Sequence, residues 1–521
     1  MKRRNFLRHA VASGLALPVW LDGYGARAFG RESGLMRVLA ELAAANDRVL
    51  VLIQLQGGND GLNTVIPLDQ IGQYVALRSN IAIPEAKALR LKNNLATGLH
   101  PAMTGLQTLY NDGLLSIVHG ASYPSPSFSH FRASDIWFTG EDANQTLTTG
   151  WAGRYLNNRY PGYPDKYPTA DAPDPLAIQI SAIASTALLG PKESMAITLQ
   201  NPDTFAQLVG DKPTIVDNNL PNTPAGRNVA FIRQAQVSSV QYAGQIQKAA
   251  GRAKNLGTYP TGNSLADQLK IVARLIAGGL QTKVYYVQTG GFDTHANQAD
   301  AADTTTGSHA NLLRGVSSAI RAFQDDLKAL RVDDRVAGMT FSEFGRRAAS
   351  NASRGTDHGA AAPMFVFGNG VRQPMIGKNP NLSDLDNGNI KMQTDFRQVY
   401  SALIGDWLGE GQSVASTVLS RAFDPVPIFQ TPKKADVPPV SDDVLALRVY
   451  PNPATDNVLI ESAGVQSVQL INASGRTINV PVSQVDEQTL SLNVRNLPAG
   501  TYFVDVRTTE RRLTNRLVVA H

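Results

Sequence analysis

The run from Arg48 to Leu55 (Arg-Val-Leu-Val-Leu-Ile-Gln-Leu) constrains this chain more than any other segment. Its apolar residues are consecutive rather than alternating and half of them are β-branched, so both faces of the segment need cover. That pattern predicts a central strand of a parallel sheet, and it ends abruptly in Gln56-Gly57-Gly58-Asn59-Asp60-Gly61. The same plan recurs. Leu114 to Val118 precedes His119-Gly120, and Lys283 to Gln288 runs into Thr289-Gly290-Gly291-Phe292-Asp293-Thr294-His295. Val336 to Phe341 opens into Ser342-Glu343-Phe344-Gly345, and Met364 to Phe367 follows Gly355-Thr356-Asp357-His358-Gly359. Between these runs, Leu265 to Leu280 and Leu312 to Leu330 carry apolar residues spaced by three and four, the period of an amphipathic helix. Strand and helix in alternation predict an α/β domain: a mostly parallel sheet with right-handed crossovers, flanked by helices.

The two ends of the chain read differently. Lys2-Arg3-Arg4-Asn5-Phe6-Leu7-Arg8 resembles a twin-arginine export signal, followed by a modest apolar stretch to Leu21 and small residues at Ala26-Arg27-Ala28. The stretch is too short to span a bilayer, which takes about 20 apolar residues, and no other segment predicts a transmembrane anchor. From Phe423 the sequence becomes proline-rich (Pro425, Pro427, Pro432, Pro438, Pro439), as an extended linker would. Beyond it lie short alternating runs divided by turns such as Ala473-Ser474-Gly475 and Pro498-Ala499-Gly500, the pattern of a small all-β sandwich. Val449-Tyr450-Pro451-Asn452-Pro453-Ala454, Leu497 to Tyr502 and Arg516-Leu517-Val518-Val519 closely resemble the type IX secretion sorting domain of Bacteroidetes. The expected organisation is a signal peptide over 1–28, an α/β domain over 45–422, a linker over 423–446 and a sorting domain over 447–521. The likeness implies the twin-arginine translocase and the type IX machinery as partners during export, and a destination at the cell surface or in the medium.

Composition excludes several classes. With 43% hydrophobic and 17% charged residues the chain is an ordinary globular one. The formal charge of +5 is spread without a basic stripe interleaved with aromatics, so no nucleic-acid partner is expected. There is no cysteine, which removes disulfides, thiol nucleophiles and thiolate metal sites.

In open α/β sheets ligands bind beyond the carboxyl ends of the strands. Asp60, Asp293, His295 and Glu343 all follow strand-like runs directly, and together they suggest a site; taken one at a time, each glycine-flanked acid could be only a turn. Carboxylate and imidazole without thiolate suit a divalent metal (Zn, Mn, Mg or Ca), and the histidines favour a transition metal. Ser129, just before a helix-like segment from Phe131 to Trp137, is placed either to cap that helix or to act as a nucleophile at the positive end of its dipole. His130 and Arg132 could position an anionic substrate or support the helix, and Arg346 could bind phosphate or sulfate or simply face solvent. His100 and His119 read as packing residues and His309 as a surface one.

Gln54 to Asn63, Ser129-His130-Phe131-Arg132, Gly290 to His295, Glu343 to Arg347, Gly355 to Gly359 and Asp395-Phe396-Arg397 look like the domain-of-unknown-function 1501 family. That family is itself similar to the alkaline phosphatase and sulfatase superfamily. The resemblance implies an alkaline phosphatase-like fold and metal ligands at Asp60, Asp293, His295, Glu343 and His358. Asp357-His358 could take the place given to Glu343; the latter is preferred because it follows a strand directly. Ser129 is then the candidate catalytic nucleophile, with His130, Arg132 and Arg346 binding a small-molecule or glycan ester. The function expected is a metal-dependent phosphate or sulfate ester hydrolase. The alternatives are a surface protein that keeps the fold without the catalysis and, more distantly, an adhesin.

Overall fold

The structure is a computed structural model describing residues 18–21, 24–27, 47–209, 223–429 and 447–520, less 463, 473–475, 487–488 and 509–511. The Arg3-Arg4 motif, most of the apolar stretch after it, and the proline-rich segment from 430 to 446 lie outside the described residues. Near the N-terminus, Pro18–Leu21 pairs antiparallel with Tyr24–Arg27. The chain divides into two compact units, Met1–Thr431 and Pro432–His521.

The larger unit is built on a nine-stranded sheet. In chain order its strands are β1 (Val49–Leu55), β2 (Leu115–Ser122), β3 (Ala177–Ile180), β4 (Ala196–Leu199), β5 (Val284–Thr289), β6 (Val336–Phe341), β7 (Ala362–Gly368), β8 (Met375–Ile376) and β9 (Thr394–Asp395). Across the sheet the order is β8-β2-β7-β6-β1-β5-β3-β4, with β9 also paired to β2. Strand β1 lies between β6 and β5, parallel to both, with Leu50 opposite Ala337 and Val284. All seven of its residues are buried, as the unbroken apolar run requires. Each large aliphatic side chain so placed contributes about 1.5–3 kcal/mol relative to exposure.

The sheet is mostly parallel, as expected, with one reversed strand: β7 runs antiparallel to β6 and to β2. The two amphipathic patterns form α2 (Ser264–Ala277) and α3 (Ser308–Ala329), and the segment after Ser129 forms α1 (His130–Thr139). Helix α2 is capped by Asn263, whose side chain accepts from the Ala266 amide. Of the 423–446 segment, Val426, Ile428 and Phe429 are buried in the core of the larger unit.

The smaller unit has two four-stranded antiparallel sheets. Side chains from both, including Val458, Ile460, Leu470, Leu492, Val504 and Leu517, form one core, so the unit is a sandwich. Its Pro498-Ala499-Gly500-Thr501-Tyr502 motif has a physical use: the Tyr502 hydroxyl donates to the Pro498 carbonyl at 2.8 Å and fixes the turn into the strand Gly500–Thr508. No helix among the described residues is long and apolar enough to cross a membrane.

Candidate functional site

The carboxyl ends of β1, β5 and β6 are neighbours, so the loops that follow them converge. Gly57 and Gly58 leave β1, Asp293 follows β5, and Glu343 follows β6. The backbone at Gly57 has φ +119°, and a Cβ there would stand 2.3 Å from the Asp293 nitrogen. The two loops can lie this close only because residue 57 is glycine. His358 arrives by another route: Gly345–Arg346 and His358–Gly359 form a short antiparallel ladder that pairs Arg346 with His358.

Helix α1 delivers His130. Its buried face is Ala133, Ile136 and Trp137, spaced by three and four, and Gly140 ends it in the left-handed conformation (φ 71°). The Trp137 ring stacks on Phe396 at 4.2 Å between centroids and on Phe341, the last residue of β6, at 5.9 Å. This packing fixes the helix so that its first residue meets Asp293.

Within the site, the His130 Nδ1 lies 2.8 Å from Glu343 Oε1 and its Nε2 lies 3.5 Å from Asp293 Oδ2. The His358 Nδ1 lies 2.8 Å from the Phe128 carbonyl and its Nε2 lies 3.2 Å from Asp293 Oδ1. A carbonyl and a carboxylate only accept, so both Nδ1 atoms carry the proton and donate. On its other side each ring turns Nε2 toward Asp293, where Nε2 either carries a second proton and donates to the carboxylate or shares a cation with it. His130, Asp293 and His358 are the group of described residues whose ligating atoms all lie within 4.8 Å of one another. Neutral imidazoles with Nδ1–H tied to a carboxylate or a backbone carbonyl are what a divalent metal site needs, so the residues fit such an ion.

Asp293 is strongly acidic. Burial acts to raise its pKa, but hydrogen bonds from Arg346 and His358 and the charges of Arg346 and His295 together lower it to about 2. His295 bonds the same carboxylate through Nδ1 at 2.8 Å, although it is not part of the closest group.

Other expected site residues are placed differently. Glu343 is buried behind His130, and its Oε1 also accepts from the Gly57 amide at 2.8 Å. Arg346 is buried and its nitrogens are all engaged: Nε with Gly58 O, Nη1 with Thr356 O, and Nη2 with Asp293 Oδ1 and the carbonyls of Gly57 and Phe292. Arg132 donates to the carbonyls of Ala143 and Gln145. Ser129 is the N-cap residue of α1, but its hydroxyl makes no capping hydrogen bond.

Asp60 stands outside the group. It is fully buried, and its Oδ2 accepts from Arg78 Nη1 at 2.6 Å and from Gln298. Burial acts to raise its pKa, but the Arg78 charge, His309 and these hydrogen bonds hold it below the usual carboxylate range. His309, expected at the surface, is buried instead, with Nε2 3.0 Å from Asn59 Oδ1. It sits on the inward stripe of α3 with Leu313, Val316 and Ile320, so its spacing, rather than its polar neighbours, was the informative signal. Nothing local to Arg78 marks it as the partner of Asp60.

Residues 227–414 match the family model described as a protein of unknown function (DUF1501), and residues 448–520 match that of the secretion system C-terminal sorting domain. Part of the larger unit thus matches DUF1501, and the smaller unit matches the sorting domain. The DUF1501 match takes in Asp293, His295, Glu343, Arg346 and His358; Asp60, Ser129 and His130 precede it. The sorting domain indicates export by the type IX system to the cell surface or beyond. No curated protein matches the chain. Matching solved structures include a protein of the alkaline phosphatase superfamily from Vibrio parahaemolyticus (9% identity, TM-score 0.33, covering 99% of this chain and 88% of that one). Others are a sulfatase from Pseudoalteromonas sp. (11%, TM-score 0.31, 77% and 76%) and the lipoteichoic acid synthase LtaP from Listeria monocytogenes (12%, TM-score 0.24, 68% and 76%).

Proposed function

We propose that this protein is an exported, metal-dependent hydrolase of phosphate or sulfate esters, taken across the inner membrane by the twin-arginine translocase. The observation that carries the reading is the pair of imidazoles whose Nδ1 protons are committed elsewhere and whose Nε2 atoms both face Asp293. His130, Asp293 and His358 would hold the ion, with His295 beside them. A divalent metal there supplies Lewis-acid polarisation of an ester oxygen and lowers the pKa of a bound nucleophile. The chain's own part is to orient and to attract. Arg346 holds Asp293 ionised, Glu343 and Phe128 set the imidazole tautomers, and the positive end of α1 favours an anionic group near Ser129. Ser129, exposed and free of a capping bond, is the residue assigned to attack.

The test is elemental mass spectrometry on the full chain and on an Asp293→Ala/His358→Ala variant, with hydrolysis of aryl phosphate and aryl sulfate esters measured alongside. We expect near-stoichiometric metal in the parent, its loss in the variant, and hydrolysis lower by about a thousandfold, which corresponds to roughly 4 kcal/mol of barrier. A parent that takes up no Zn, Mn or Ca on reconstitution sinks the proposal.

One observation favours a second reading, a non-catalytic surface protein that binds a glycan or a partner. Arg346 is buried with all its nitrogens committed to carbonyls or to Asp293, so it offers no free guanidinium to an anion. Glycan binding that survives chelation, without ester hydrolysis, selects this reading.

A further inference from the structure

We infer that Glu343 is a positioning residue rather than a ligand, and that through the Gly57 backbone it fixes two of the three metal-binding side chains together; this rests on the metal reading above. One carboxylate oxygen, Glu343 Oε1, accepts from the Gly57 N–H at 2.8 Å and from the His130 Nδ1–H at 2.8 Å. The carbonyl of the same glycine accepts from Arg346 Nη2, and that nitrogen also donates to Asp293 Oδ1 at 2.7 Å. The N–H of residue 57 thus leads to His130 and its C=O leads to Asp293. Glu343 is 2% exposed and its other oxygen faces the Ser342 hydroxyl at 3.4 Å, so it lies on the far side of the imidazole from Asp293.

This arrangement has a chemical consequence. A carboxylate on Nδ1–H fixes the tautomer, makes Nε2 a better donor and restrains the ring, and losing such a partner costs metal affinity by about 10–100-fold. Glutamine at 343 keeps an oxygen that can accept from Nδ1–H, whereas alanine keeps none. A direct ligand behaves otherwise, because an amide oxygen is a much poorer metal donor than a carboxylate.

The experiment uses the full chain with Glu343→Ala and Glu343→Gln. Cobalt(II) affinity is measured by competition with a chromogenic chelator, the cobalt absorption spectrum is recorded, and the His130 tautomer is read by nitrogen-15 NMR on histidine-labelled protein. Positioning predicts a 10–100-fold loss of affinity in Glu343→Ala and recovery to within about threefold of the parent in Glu343→Gln. It also predicts an unchanged cobalt spectrum in Glu343→Gln. A changed spectrum in that variant, or affinity as poor as in Glu343→Ala, makes Glu343 a ligand and overturns the inference. Should Glu343→Ala not fold, the Glu343→Gln spectrum decides. The tautomer needs no metal, so it separates this inference from the reading beneath it. An Nδ1–H His130 in the metal-free parent that becomes mixed in Glu343→Ala supports positioning, and an unchanged tautomer rejects it. If the parent binds no metal at all, the metal reading falls and the tautomer alone decides the role of Glu343.

Discussion

Replacing Arg78 with methionine is expected to destabilise the larger unit by about 3–5 kcal/mol, the cost of leaving one partner of a buried ion pair uncompensated. Arg78 and Asp60 are both fully buried and meet at 2.6 Å. The other guanidinium bonds reach Ala348 O, Arg347 O and Asn63 Oδ1, so this one side chain ties the loop after β1 to the loop after β6. The other Asp60 oxygen has no hydrogen-bond partner among the described residues, which leaves the carboxylate more dependent on Arg78. Urea denaturation of the full chain reads the effect. Adding Asp60→Asn to Arg78→Met should restore a substantial part of the loss, because the stranded charge is then gone. A loss below about 1 kcal/mol for Arg78→Met would mean that the Asp60 charge is balanced by something other than Arg78.

Acid is expected to destabilise the protein at a pH where its carboxylates are still ionised. His100, His119 and His309 are buried. Burial, opposed only in part by nearby acids, lowers their pKa values to about 3, 4 and 4. The folded state holds these rings neutral while the unfolded chain protonates them near 6.5. Their contribution is therefore complete above pH 6.5, falls as the pH drops, and stops falling below the folded values. At pH 5 each ring has withdrawn about 2 kcal/mol relative to pH 8, together about 6 kcal/mol. That is a large part of the 5–15 kcal/mol by which folded domains are typically stable. Denaturation curves at pH 8 and pH 5 give the difference directly, and in His119→Gln it should shrink by about 2 kcal/mol. An undiminished difference would show that His119 already carries its proton in the folded state.

Which features could be read from the sequence follows from how local their causes are. The run at Val49–Leu55 needs burial on both faces whatever surrounds it, and the structure gives it a strand on each side. Helices α2 and α3 follow from spacing within single segments. The reversal of β7 does not, since Met364 to Phe367 is equally apolar in either direction and its partners are chosen by distant strands. The site divides in the same way. Asp293 and His358 could be found because glycine-rich turns after or beside strands bring such residues to the sheet edge. The different place of Glu343 depends on α1, which sets His130 between it and Asp293. The burial of Asp60 depends on Arg78, which follows a short helix and belongs to no recognisable motif.

The position of β1 also bears on how the chain comes to be folded. It is made first among the strands of its sheet, yet the residues opposite Leu50 are Val284 and Ala337, made much later. Pairings this distant carry a high contact order and close slowly, because the entropy of a long loop is lost before any contact forms. Until then Val-Leu-Val-Leu-Ile-Gln-Leu is an uncharged, β-prone heptapeptide with both edges open, the kind of segment through which chains associate with one another. The segment that most firmly specifies the finished sheet is thus the one most exposed to aggregation in the nascent chain.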